Sequence, residues 1–132
     1  MKRNVKIDKQ KAKALYQISK ITFERLNSFN KLKYPSNTLD DYYNILHQLI
    51  EAESCIKGIK FSGDYAHREL IDWGYTEGLF SEQEKLFLQN LRNFRNKISY
   101  EGFLVKPFFI TQNEEKIMTI IKRLNKIIEE LL

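Results

Sequence analysis

The chain has 132 residues, of which 42% are apolar and 30% charged, with a formal net charge of +5. That size and mixture point to one globular domain spanning 1–132 rather than a disordered chain or two domains. Five Gly and two Pro are too few for the turns of a β-sandwich or barrel, and one cysteine excludes an internal disulfide or a CxxC metal site.

The charge is uneven. Residues 1–33 carry ten Lys/Arg against two acids (+8), residues 34–80 carry three against eight (−5), and residues 81–132 carry nine against seven (+2). A basic first third is what contact with a polyanion such as RNA requires, and equally what a Lys-rich solvated helix face looks like. No apolar run reaches the length of a membrane span, and Met1–Lys6 is too polar for a signal peptide. The expectation is a cytoplasmic protein without membrane association.

Apolar periodicity predicts an all-α, up-and-down bundle of four long helices and one short one. The first helix runs from about Asp8 to Leu32, with Leu15, Ile18, Leu26 and Phe29 inward, and Tyr34-Pro35-Ser36-Asn37 ends it. The second runs from Leu39 or Asp40 to about Gly58. Phe61-Ser62-Gly63-Asp64 reads as a turn, a short helix covers 65–73, and Gly74 and Gly78 bracket a loop. Ser81 and Glu84 form a capping box that opens a helix over 82–100, stopped by Gly102. An apolar extended link fills 103–110, and the last helix starts near Asn113 with a stripe of Ile and Leu.

Two polar features break the core pattern. Glu53 shares an arc with Tyr42, Leu46, Leu49 and Ile56, where a carboxylate is costly unless paired, so it predicts a cationic partner such as Arg95. On the fourth helix, Arg92, Arg95 and Ser99 share a flank beside the core stripe of Phe87, Leu91, Phe94 and Ile98. Two forked guanidinium groups beside a hydroxyl suit phosphate oxygens. His47 and His67 have no second ligand at metal spacing, and no metal or other cofactor is expected.

Arg95-Asn96-Lys97-Ile98-Ser99-Tyr100 resembles the signature of the HEPN superfamily, in which a late helix carries an arginine, often followed by Asn, and a histidine after four to six residues. The segment Lys57-Gly58-Ile59-Lys60 and His67 on a short helix are also similar to that family, so the resemblance covers about residue 38 to the end. It implies a homodimeric helical bundle that engages RNA or a nucleotide phosphate through Arg92, Arg95, Asn96 and Ser99, with Glu53 orienting Arg95. Active members are metal-independent endoribonucleases, many of them toxins of toxin–antitoxin or defence systems. Here Tyr100 stands in the place of the histidine. A tyrosine, with an ordinary pKa near 10, is a poor proton acceptor at neutral pH. The expectations are therefore an endoribonuclease with Arg95 and Tyr100 as catalytic residues or, alternatively, a non-catalytic module that binds a nucleotidyltransferase or another protein.

Overall fold

Proline decides where two of the long helices begin. In the computed structural model, which describes residues 1–132, the chain forms β1 (Lys2–Asn4), α1 (Lys9–Asn27), α2 (Pro35–Lys57), β2 (Ile59–Phe61), α3 (Ala66–Thr76), α4 (Glu82–Glu101) and α5 (Pro107–Leu131). Pro35 and Pro107 both sit at the first helical positions. There the missing N–H costs nothing, because first-turn donors have no intrahelical partner, and the fixed φ is already helical. So α2 starts four or five residues before the predicted Leu39 or Asp40. The expected extended link over 103–110 gives up its second half to α5.

The architecture is all-α apart from a two-stranded antiparallel ribbon, in which Lys2, Arg3 and Asn4 pair with Phe61, Lys60 and Ile59. Strands of three residues are too short to show a period, so hydrophobic patterning does not find them. Gly58, in the left-handed conformation at the end of α2, turns the chain into β2; a Cβ there would lie 2.7 Å from the Val5 carbonyl oxygen. Val5 N–H in turn donates to the Gly58 carbonyl. The capping box of Ser81 and Glu84 forms as expected, and Gly102 closes α4.

Helix α2 lies in the middle, in contact with each of the other four helices. The core gathers Leu39, Tyr42, Leu46, Leu49 and Ile50 of α2, Leu70 and Ile71 of α3, Leu88 and Leu91 of α4, and Ile110, Ile117, Ile120, Ile121 and Leu124 of α5. Helix α1 keeps Leu26 inward as its apolar spacing predicts, but it is rotated away from the Ile18 side of that stripe. Ala12, Ser19 and Leu26, spaced by seven, are fully buried, while Ile18 is 47% exposed. Phe29 lies beyond the helix end. Small side chains let two helix axes approach closely, and Ser19 satisfies its own hydroxyl by donating to the Tyr16 carbonyl.

Helix α3 continues through Gly74 to Thr76, so the predicted loop begins later. Gly74 lies against Phe80, whose Cζ would stand 2.6 Å from an added Cβ, with Ile50 on the other side. Alanine is the better helix former by about 1 kcal/mol, yet overpacking a filled site costs about 1–3 kcal/mol. Gly74→Ala is therefore expected to destabilise the protein by up to about 2 kcal/mol, read as a lower urea midpoint with an unchanged slope.

Candidate functional site: a polar stripe beside Arg95

Asp40, Tyr43, His47 and Glu51 follow one another on α2 at steps of three, four and four, which puts them on one helix face. This stripe meets α3 and α4. Arg95 of α4 donates from Nε to Asp40 Oδ1 at 3.2 Å, and its guanidinium carbon lies 5.7 Å from the centre of the Tyr43 ring. The Tyr43 hydroxyl is 3.4 Å from Nδ1 of His67, which projects from the first turn of α3. The rings of His47 and His67 are 4.1 Å apart at an interplanar angle of 35°. His47 Nδ1 also lies 3.7 Å from a Glu51 carboxylate oxygen, and the other Glu51 oxygen is 3.6 Å from Lys11.

Arg92, one turn before Arg95, donates to Gln89 at 2.9 Å. The Gln89 amide donates onward to the Arg68 carbonyl and Asp72, each at 3.0 Å, tying α4 to α3. Both arginines are half-buried, with their guanidinium groups held at the junction of α2, α3 and α4. Positive charge and burial decide the state of the histidines. Burial, with His67 and Arg95 nearby, pushes His47 down to about 4. His67 is lowered by burial and by Arg95, against an opposing pull from Glu51. Tyr43 is raised to about 12 by burial, although Arg92 and Arg95 pull it down. At neutral pH the site thus holds Arg92 and Arg95, the Asp40 and Glu51 carboxyl groups, two neutral imidazoles and a phenol. Arginines there present donors to an anion, and a neutral imidazole accepts a proton.

Of the residues expected at the site, Arg92 and Arg95 share this junction. Asn96 is half-buried and Ser99 exposed, the latter on the same flank of α4. Tyr100 is not brought to Arg95. Five residues at 3.6 per turn carry it about 140° round the helix, and it stands 81% exposed at the penultimate position of α4.

Glu53 is buried at 3% exposure, as its place on the core arc predicts. The expected pairing with Arg95 is corrected by the same arc: Glu53 is about 140° round α2 from Asp40, and Arg95 takes Asp40 instead. One Glu53 carboxylate oxygen has no hydrogen-bond partner. Burial raises its pKa, Lys57 lowers it and Glu77 raises it, the burial effect being the largest. Tyr43, His47, His67 and Asp40 were not recognised as a group from the sequence. The signal on offer was the i, i+3, i+7 spacing of Asp40, Tyr43 and His47, which places three polar-tipped side chains on one face.

No group of three or more His, Cys, Asp or Glu side chains is arranged to hold a metal ion, and no helix is long and apolar enough to cross a membrane. No protein-family model, curated protein or solved structure matches the chain.

Stability should report the state of these groups. An unfolded histidine takes up its proton near pH 6.5, whereas His47 takes it near 4, so acidification between those values favours the unfolded chain. Glu53 acts oppositely. Its folded carboxyl keeps its proton above the ordinary value of 4.5, so its contribution falls as pH rises through that region. In urea melts at pH 7 and pH 4, His47→Gln is expected to lose about 1–3 kcal/mol less stability on acidification than the parent. Glu53→Gln is expected to gain on the parent as pH rises from 4 to 7.

Proposed function

We propose that this protein engages RNA or a nucleotide phosphate through Arg92 and Arg95, at the junction of α2, α3 and α4, as a homodimer with a HEPN-like bundle. The observation that carries this reading is Arg95, fixed by Asp40 and by the Tyr43 ring at 5.7 Å, next to a neutral imidazole pair. A guanidinium held in place by its own chain reaches a phosphate without the cost of ordering a free side chain. Asn96 and Ser99, on the following turn, add polar groups to the same flank.

The reading extends to metal-independent cleavage of RNA, as a toxin or defence endoribonuclease would perform it. The 2′-hydroxyl oxygen attacks phosphorus, His67 accepts the hydroxyl proton, and the departing 5′-oxygen takes a proton from water. Arg95 stabilises the charge that builds on the phosphoryl oxygens. The proton-accepting role that the resemblance places at Tyr100 falls in this reading to His67. Burial and Arg95 lower the pKa of His67 from its ordinary value of 6.5, so the acid limb of the rate lies below pH 6.5.

A second reading, a non-catalytic module that docks a nucleotidyltransferase or other protein, is favoured by one observation. Tyr100, Leu104 and Phe108, exposed at 81%, 80% and 71%, follow one another along the chain where α4 ends and α5 begins. Large side chains left exposed in one stretch serve a protein interface, either with a second copy or with another chain.

Fluorescence anisotropy with a labelled single-stranded RNA tests the first reading. The parent is expected to bind, with an affinity that falls as salt rises. Arg92→Ala/Arg95→Ala is expected to weaken binding at least about tenfold while the fold is kept. His67→Gln is expected to abolish any cleavage and Tyr100→Phe to leave it. Leu104→Glu is expected to convert a dimer to a monomer in light scattering. An RNA affinity unchanged by the double arginine substitution would overturn the reading in favour of the docking module.

A further inference from the structure

A second set of cations lies on the far side of the histidine pair, and it does not include Arg92 or Arg95. The ribbon, the segment that follows β1, the first turn of α1, the end of α2 and the start of α3 enclose a cavity of about 470 Å³. That volume is in the range of sites for small organic ligands. Arg3, Lys6, Lys11 and Lys60 line it against two acids, Asp8 and Glu51. Both acids already have partners: Asp8 accepts from the Lys11 backbone N–H, and Glu51 meets Lys11 and His47. Arg3, Lys6 and Lys60 meet no carboxylate.

The register of the ribbon makes this arrangement costly. Arg3 and Lys60 are directly opposite each other across the two strands. Opposed residues in an antiparallel pair share a face, with Cβ atoms about 4.5–5.5 Å apart, and like charges in that position repel. A ribbon of only three pairs has little ladder energy to offset such repulsion. An anion between the two side chains removes it. Ile59 and Phe61, which flank Lys60 and so point to the other face of the ribbon, join Leu70 in an apolar part of the wall, and Ser54, His47 and His67 add polar groups.

We infer that this cavity is a binding site for a small organic phosphate, with the phosphate monoester at the rim, where the long Arg3 and Lys60 side chains reach it, and an apolar or aromatic body inside the cavity against Phe61, Ile59 and Leu70. Four cations against two acids leave a local charge of +2, which complements a phosphate dianion. Arg3 provides the fork that matches two phosphate oxygens, and Lys6 closes the mouth from the segment after β1. The site goes beyond the Arg92–Arg95 junction and stands or falls separately from it.

Isothermal titration at low salt with phenyl phosphate, inorganic phosphate and phenol tests the inference. Phenyl phosphate is expected to bind at one site per chain with a Kd below about 1 mM, on the order of 4 kcal/mol of binding free energy. Inorganic phosphate is expected to bind at least tenfold more weakly, and phenol not measurably. Arg3→Gln/Lys60→Gln is expected to weaken phenyl phosphate at least tenfold, and Lys6→Gln, outside the ribbon ladder, two- to fivefold. Arg92→Ala/Arg95→Ala is expected to leave it unchanged, which separates this site from the RNA-engaging junction. Absence of saturable binding, an affinity that survives Arg3→Gln/Lys60→Gln in a chain with an unaltered helical spectrum, or equal affinity for inorganic and phenyl phosphate would each overturn the inference.

Discussion

Helix α2 has almost no side that faces water, and the rest of the structure answers to that constraint. Each other helix packs on it, so a polar residue on α2 must find its partner inside the protein or be stranded. Asp40 takes Arg95, Asp41 takes Arg25, Tyr42 donates to Glu114, and Glu51 takes Lys11. These pairs tie α2 to α4, α1 and α5 in turn. The polar stripe is therefore both a set of fasteners and the place where chemistry collects. Gln48 and Glu53 are the exceptions, each with a buried side-chain oxygen left without a partner. Burial raises the pKa of the Glu53 carboxyl, with Lys57 opposing and Glu77 adding to the shift.

The histidine pair follows from the same constraint. Burial is the largest influence that lowers the pKa of both imidazoles, which lie 4.1 Å apart; Arg95 adds to it for both, His67 for His47 and Arg92 for His67. Keeping them neutral lets two arginines stay close without a further cation in the group. The arginines gain a low-dielectric, polar setting in which an incoming anion is attracted more strongly than it would be at an open surface. His67 joins this junction to the cavity under the ribbon, whose free cations come from β1, β2 and the segment between β1 and α1. The basic first third of the chain thus divides into a solvated part along α1 and a convergent part at the ribbon.

Composition and periodicity were enough for the helical class because they depend on local spacing. The capping box at Ser81, the stop at Gly102, the burial of Glu53 and the Ile/Leu stripe of α5 were all legible one helix at a time. The inward face of α1 was legible only in part, since close helix contact selects Ala12 and Ser19 over the larger Ile18. The starts of α2 and α5 were misplaced because proline ends one helix and begins another with equal ease. The ribbon joins residues more than fifty positions apart through three pairs, which no local window contains.

What the sequence by itself determined is the number and type of the helices and the two arginines on one flank of α4, since both follow from 3.6 residues per turn. What only the tertiary structure decided is the company those arginines keep. Asp40 rather than Glu53 reaches Arg95, and His67 rather than Tyr100 stands near it, because partnership between helices depends on which faces meet when α2, α3 and α4 pack. A helical wheel gives the faces of one helix and carries no information about the neighbour's rotation or height. The opposition of Arg3 and Lys60 is of the same kind, a consequence of strand register that neither segment encodes alone.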